Sequence, residues 1–357
     1  MEVEKLAVVG LGNGTKLQKY KNMSKTKRQD LVDFDIYTRA MLATNDEDPV
    51  YKVAKDIIRI YRFEPEWFVF VYVMFYNLET AIEICKKFPT KEKWSAKKFR
   101  KHRRDGGKWC NVKMGHERRG TQRQMENQIL GLESAIRFIN WYEELSIQAD
   151  IQGTDPTDNA GFRKEIEKLY NHGSWSAFKI AELYEKSLGH KYLEILDMGL
   201  EGRNFMSNDG PVGGLRWIFD PKRDTEYQID FNKDKTYWHK VWNRFGELLS
   251  KAYGIEGVGE VESCICKWHK TKSGKYWIGH DIAEFVELKE VLGKNYSVTM
   301  LKFPTELWSK LKHFPKENKS KYKNEKILLN KEWANNKYPR ADIEKLVKKS
   351  KKWAKKN

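Results

Sequence analysis

Cysteine is scarce in this 357-residue chain, with four residues, Cys85, Cys110, Cys264 and Cys266. That is too few for a disulfide framework in a chain of this size. No pair has Cys-x-x-Cys spacing, so neither a cysteine-based zinc site nor any other metal or cofactor is expected. Long apolar runs are missing too. The longest, residues 67–76, falls far short of the roughly 20 residues that span a bilayer. The opening stretch, MEVEKLAVVGLGNGTK, has neither the apolar core nor the small-residue cleavage site of a secretory signal. The expectation is a reducing, cytosolic setting with no membrane partner. There is no internal repeat and no Pro/Ser-rich linker. The glycines of VVGLGNGT at 8–15 lack the third Gly of GxGxxG and the Gly-Lys-Ser/Thr of a P-loop, so a plain loop is expected there.

What is abundant is positive charge. Lysine and arginine number 67 against 50 aspartates and glutamates, a formal net charge of +17. Such an excess points to a polyanionic partner, nucleic acid foremost. The competing reading is a Lys-rich composition without a partner. The densest basic stretch is 97–123, which carries Arg100, Arg103, Arg104, Arg118, Arg119 and Arg123. Arginine presents a planar fork suited to phosphate oxygens. Trp109 and the Gly106-Gly107 pair interrupt the stretch, so it suits a nucleic-acid strand held by stacking and phosphate contacts, or else a solvated loop. The segment 341–357 ends in KKSKKWAKKN. It reads as a solvated helix face or fraying tail, with phosphate tracking as the functional alternative.

Hydrophobic residues make up 40% of the chain, enough for a core, and their spacing is helical. Asp48-Pro49 opens a helix with Val53, Ile57, Ile58 and Tyr61 on one side. Residues 66–86 read as one central buried helix, apolar nearly all round in its first half. Met125, Ile129, Leu132, Ile136 and Ile139 recur at helical spacing, as do Ala177, Ile180, Ala181, Tyr184 and Leu188, and Val241, Phe245, Leu248 and Leu249. Strand-like pieces such as 275–278 are short. The expected class is mainly α with short strand or hairpin insertions. The expected organisation is an irregular segment 1–47, a helical domain 48–300 and a basic helical extension 301–357.

Three local patterns could carry chemistry. Residues 171–197 read as a Gly-marked turn, a helix over 176–188, a stop at Gly189 and then Asp197. A helix N-terminus offers backbone N–H groups to an anion such as a DNA phosphate. In the stretch 208–217, the glycines permit close backbone approach to a ligand. Arg216 can grip a phosphate or carboxylate with two bonds, and Trp217 offers a face to a base. The bland alternative is a tight connection between helices with Trp217 in the core. In the third pattern, Glu262 on a helix start and a hairpin-like return to His280 and Asp281 gather polar groups toward one pocket. Adjacent side chains point apart, so His280 and Asp281 do not form a relay. Cys264 and Cys266 read first as core residues.

Lys179-Ile180-Ala181, Gly189 and Asp197 lie nearly where the helix-hairpin-helix DNA glycosylase superfamily carries its helix start, glycine and catalytic aspartate. The second hairpin glycine is absent, with Trp175 and Ser176 in its place. The longer order of elements resembles the phage amino acid:DNA transferases, a family tied to the α-glutamyl/putrescinyl-thymine enzymes and distantly related to the glycosylase fold. That order runs through Asp48-Pro49, the 67–76 helix ending in Asn77-Leu78-Glu79-Thr80, Phe88-Pro89, the Arg-rich 97–123, the 173–197 unit, the Gly-Leu-Arg turn at 214–216, Glu262 with Cys266, and Gly279-His280-Asp281. The resemblance extends from Asp48 to about Gly293.

It implies a glycosylase-like helical core and hypermodification of thymidine in phage DNA, within the infected bacterial cytoplasm. Phosphorylated 5-hydroxymethyluracil would exchange its phosphate for the amine of an amino acid or polyamine. On that reading Arg216, then Arg118 and Arg119, hold the phosphate, with His280 and Asp281 nearby. Asp197, then Asp209 and Glu262, take or orient the amine proton. Trp175 or Trp217 holds a flipped base. Cys266 is the thiol placed to add to the ring. Arg100, Arg103, Arg104, Trp109 and Lys179 contact DNA. Two alternatives stand beside it: a helix-hairpin-helix glycosylase or lyase on modified bases, and a nucleic-acid-binding protein without catalysis.

Overall fold

The computed structural model describes residues 30–43, 50–104, 113–115, 120–207, 210–220, 222, 228–273, 276 and 338–357. Among them are helices and turns and no strand, so the protein is mainly α. All of the expected strand at 275–278 except Tyr276 lies outside the described residues. Two compact units partition the chain. One draws on Asp48–Gly199 and Asp281–Thr305, the other on Met1–Glu47, Leu200–His280 and Glu306–Asn357.

The Asp48–Gly199 unit holds α2 (Val50–Tyr61), α3 (Pro65–Phe75), α4 (Leu78–Lys87), α5 (Ala96–Arg104), α6 (Met125–Gln152), α7 (Asn159–Glu167) and α8 (Ser174–Leu183). Helix α3 is its centre. Pro65 pre-sets the first turn, and every residue from Trp67 to Phe75 is buried. Helices α2, α4, α6 and α8 pack around it. The expected single helix over 66–86 is two. Tyr76 turns left-handed at φ 45°. The Asn77 side chain then accepts from the Thr80 N–H at 2.9 Å and starts α4. An asparagine cap satisfies an amide that the break would otherwise leave orphaned in the first turn of the new helix. Trp67 in turn donates its indole N–H to the Phe88 carbonyl at 2.7 Å, tying α3 to the end of α4.

Two further expectations shift in this unit. The basic stretch begins as a helix, since 96–104 form α5 with Phe99 buried. The 176–188 helix starts two residues earlier, and its final turn, Tyr184–Leu188, is π-helical.

The other unit contains α1 (residues 30–43), α9 (Gly210–Phe219), α10 (Lys235–Tyr253), α11 (Gly259–Lys272) and α12 (Ile343–Ala354). Within the stretch expected to be irregular, α1 buries Phe34, Tyr37, Ala40 and Met41. The expected turn at 208–217 is, over its described part, helix α9. Its glycines serve helix packing: a Cβ on Gly214 would fall 2.0 Å from the Ile265 carbonyl oxygen of α11. Only glycine permits so close a crossing. Helix α12 is docked on α10 rather than frayed, and it buries Ile343, Leu346, Val347, Ser350 and Ala354.

Candidate functional site

The 171–197 stretch keeps its expected outline. Asn171 turns at φ 61°. Gly173 then precedes α8 without a side-chain cap. Trp175 stands half-buried in the first turn, edge-on to Tyr76 with ring centroids 4.8 Å apart. Lys179 turns inward. Its ammonium pairs with Glu182 at 2.6 Å and donates to the Tyr51 hydroxyl at 3.1 Å. Both Lys179 and Glu182 are buried, so this lysine knits α8 to α2.

Asp197 is held from two sides. Arg163 on α7 grips it with both terminal nitrogens, one bond measuring 3.3 Å. The Gly199 N–H donates to Oδ1 at 2.6 Å. Gly199 itself sits at φ 57°, and a Cβ there would meet the Phe178 ring at 2.8 Å. Three of the roughly four acceptor directions of the carboxylate are thus occupied. Arg163 is a partner that the sequence reading missed. Helical periodicity marks its neighbours Phe162 and Ile166 as core and says nothing of where a guanidinium on the flank ends up.

Arg216, Trp217, Glu262 and Cys266 belong to the other unit. Arg216 is buried, donating from Nη1 to the Met206 and Ser207 carbonyls at 2.6 and 3.2 Å and from Nη2 to Gln228 Oε1 at 3.4 Å. Its fork therefore straps the loop before α9 onto that helix. Trp217 is half-buried under the Lys272 ammonium, 5.3 Å from its ring centroid. Glu262 is buried on α11, and Cys266 lies half-buried one turn further on. At the start of α9, a Cβ on Gly210 would lie 3.0 Å from Arg203 Nη1 and 3.9 Å from Cys266 Sγ. That corner brings together a guanidinium, a thiol and the first turn of a helix. Arg203 was not anticipated either.

Arg100 on α5 pairs with Glu126 at 2.7 Å on a partly exposed surface. Arg103 and Arg104 end the same helix. Trp109, Arg118, Arg119, Asp209, His280 and Asp281 lie outside the described residues.

A further polar cluster was not anticipated. Glu66, in the first turn of α3, faces His190, with Oε1 4.0 Å from Nε2. His190 Nδ1 lies 2.7 Å from the Tyr192 hydroxyl, which is 2.6 Å from that of Tyr142. Burial pushes Glu66 up from its ordinary value and His190 down. The one hint in the sequence is a carboxylate at the head of the most apolar helix.

The family model described as amino acid:DNA transferase matches residues 42–276. The chain belongs to the amino acid:DNA transferase family. No curated protein and no solved structure matches it. As an amino acid:DNA transferase it is an enzyme that joins an amino acid to DNA, and the net charge of +17 suits the DNA partner. The matched span runs from the end of α1 through α11 and so draws on both units. Among the described residues, no helix of this transferase is long and apolar enough to cross a membrane. No group of three or more His, Cys, Asp or Glu is arranged there to hold a metal.

Proposed function

We propose that this transferase acts on 5-phosphomethyluracil in DNA, replacing the phosphate with the amine of an amino acid or polyamine. The family match over 42–276 carries the reading, because it supplies the reaction class. Transfer onto DNA needs an electrophilic carbon with a good leaving group, and a phosphorylated methylene on a pyrimidine provides both. The amine nitrogen bonds to the methylene carbon, and the C–O bond breaks with its electron pair leaving on phosphate. One proton of the incoming ammonium leaves with the phosphate, so charge and atoms balance.

Three features support the reading. The basic composition suits a DNA substrate. Trp175 beside Tyr76, and Trp217, are half-buried aromatics suited to a base turned out of the stack. The corner of Arg203, Gly210 and Cys266 suits an anion next to a thiol. There Cys266 is the group for a transient addition to the ring. The setting on this reading is phage DNA within the bacterial cytoplasm.

The test is mass spectrometry of nucleosides from phosphomethyluracil DNA treated with the protein and a pool of amino acids and polyamines. A nucleoside that has lost phosphate and gained an amine is expected. An unchanged profile would sink the reading, and abasic sites would point to a glycosylase instead.

A further inference from the structure

We propose that Glu66, His190, Tyr192, Tyr142 and Tyr184 form the site that holds the donor's amine, with His190 the acceptor of its proton. The inference rests on the amine-transfer reading above. Three observations carry it.

The first is the gap between Glu66 Oε1 and His190 Nε2, 4.0 Å, too wide for a direct hydrogen bond. A nitrogen about 2.8 Å from each atom would see them at roughly 90°, about 20° inside the tetrahedral angle between two N–H bonds, a bend that hydrogen bonds tolerate. Both side chains keep about a fifth of their surface exposed, 22% for Glu66 and 21% for His190, so a small amine can reach them.

The second is the relay behind His190. Its Nδ1 stands 2.7 Å from the Tyr192 hydroxyl, which is 2.6 Å from the Tyr142 hydroxyl. An imidazole that donates from Nδ1 into this chain presents the lone pair of Nε2 toward Glu66. Burial disfavours the charged form of each partner, pushing His190 down and Glu66 up. A neutral imidazole is the form that accepts a proton.

The third is Tyr184. It is 0% exposed, and its hydroxyl has no hydrogen-bond partner among the described residues. Its ring lies 5.3 Å from that of His190 and 5.7 Å from that of Tyr142, and Glu66 is the charge that acts on it most. An unsatisfied hydroxyl in the interior shows that the polar cluster is not closed within itself. The other charges around the cluster are Glu64, Glu143 and Lys91 near Glu66, and Asp150 and Asp155 near Tyr192. Lys91 is itself paired with Glu64 and Glu143, so carboxylates outnumber ammonium groups here.

In the step proposed, Glu66 holds the donor ammonium and Nε2 of His190 takes one proton. The neutral amine attacks the methylene carbon, and the proton passes from His190 to the departing phosphate or to solvent. Asp197, already gripped by Arg163 and Gly199, is not needed as the base.

The test compares full-length wild type, Glu66→Gln and His190→Asn on phosphomethyluracil DNA, with two nucleophiles. One is an equimolar pool of the twenty amino acids and putrescine. The other is methoxyamine, which is already neutral at pH 7. With the pool, His190→Asn is expected to lose about 100-fold or more in rate with KM for DNA unchanged. With methoxyamine it should stay within about threefold of wild type, because no proton acceptor is needed. Glu66→Gln should raise KM for the pool amines. Parallel losses with both nucleophiles, or unchanged amine kinetics in both variants, would overturn the proposal. Saturation-transfer NMR with the same pool separates this from the reading it rests on. Amine binding that Glu66→Gln abolishes supports the site even if no adduct forms on DNA. No amine binding by wild type overturns it.

Discussion

The phenol of Tyr253 donates to Asp35 Oδ1 at 3.0 Å, across 218 residues of sequence. The same oxygen accepts the Ala341 N–H at 2.9 Å. The other carboxylate oxygen holds Arg39 through Nε and Nη2 at 3.1 and 2.7 Å. One aspartate therefore ties α1, the end of α10 and the lead into α12 into a single unit. Both Asp35 and Arg39 are buried, so the pair must be matched to be tolerated.

Asp35→Asn should accordingly destabilise that unit strongly, because it strands the Arg39 charge. A loss of about 3–5 kcal/mol is expected, read from urea unfolding. A loss under about 1 kcal/mol would mean that water reaches the pair and supports Arg39.

Gly214→Ala tests the α9–α11 crossing. The added methyl would sit 2.0 Å from a backbone oxygen, which cannot swing away as a side chain can. The helices must separate, at a cost of roughly 3 kcal/mol. The denaturation midpoint reads it, and an unchanged midpoint would show that the two helices can part at little cost.

His190 gives the protein a pH dependence of known sign. Its folded value lies below its ordinary 6.5, so as pH falls the unfolded chain takes up the proton first. The stability it contributes is complete above 6.5 and is lost as pH falls through the lower folded value. Glu66 runs the other way. Its folded value is raised above 4.5, so its contribution is complete below that and lost as pH rises through the folded value. Unfolding midpoints across this range should flatten on the neutral side in His190→Asn and on the acid side in Glu66→Gln. Curves parallel to wild type would contradict both shifts.

The Arg163–Asp197 pair should matter modestly to stability, since Asp197 keeps 40% of its side chain exposed. A double-mutant cycle with Arg163→Ala and Asp197→Ala is expected to return a coupling of about 1 kcal/mol or less. Turnover in Asp197→Asn should stay within about tenfold of wild type, because His190 takes the proton. A drop of about 100-fold or more would make Asp197 the base.

Much of the helical layout is legible in the sequence. The apolar positions of α6, α8 and α10 repeat at the spacing that buries one face, and α3 is apolar all round because it is central. The break at Tyr76 and Asn77 was not, because a cap acts through one side chain that helix propensity barely registers. The glycines at 213–214 misled in an instructive way. They read as a turn, but they are the point where α9 lies against α11, and close helix packing asks for the same residue as a tight turn.

Candidate site residues were legible as types and not as arrangements. The arginines, tryptophans and aspartates marked a protein suited to nucleic acid. Only the folded chain turned Arg216 onto backbone carbonyls, drew Lys179 into a buried pair, and brought Glu66 of α3 opposite His190 of the turn after α8. Sequence by itself determined the mainly helical class, the buried central helix and the positive charge, because periodicity and net charge are local or summed properties. Tertiary structure alone decided which polar groups meet, because a carboxylate, an imidazole and three phenols spread over residues 66–192 become neighbours only when helices pack.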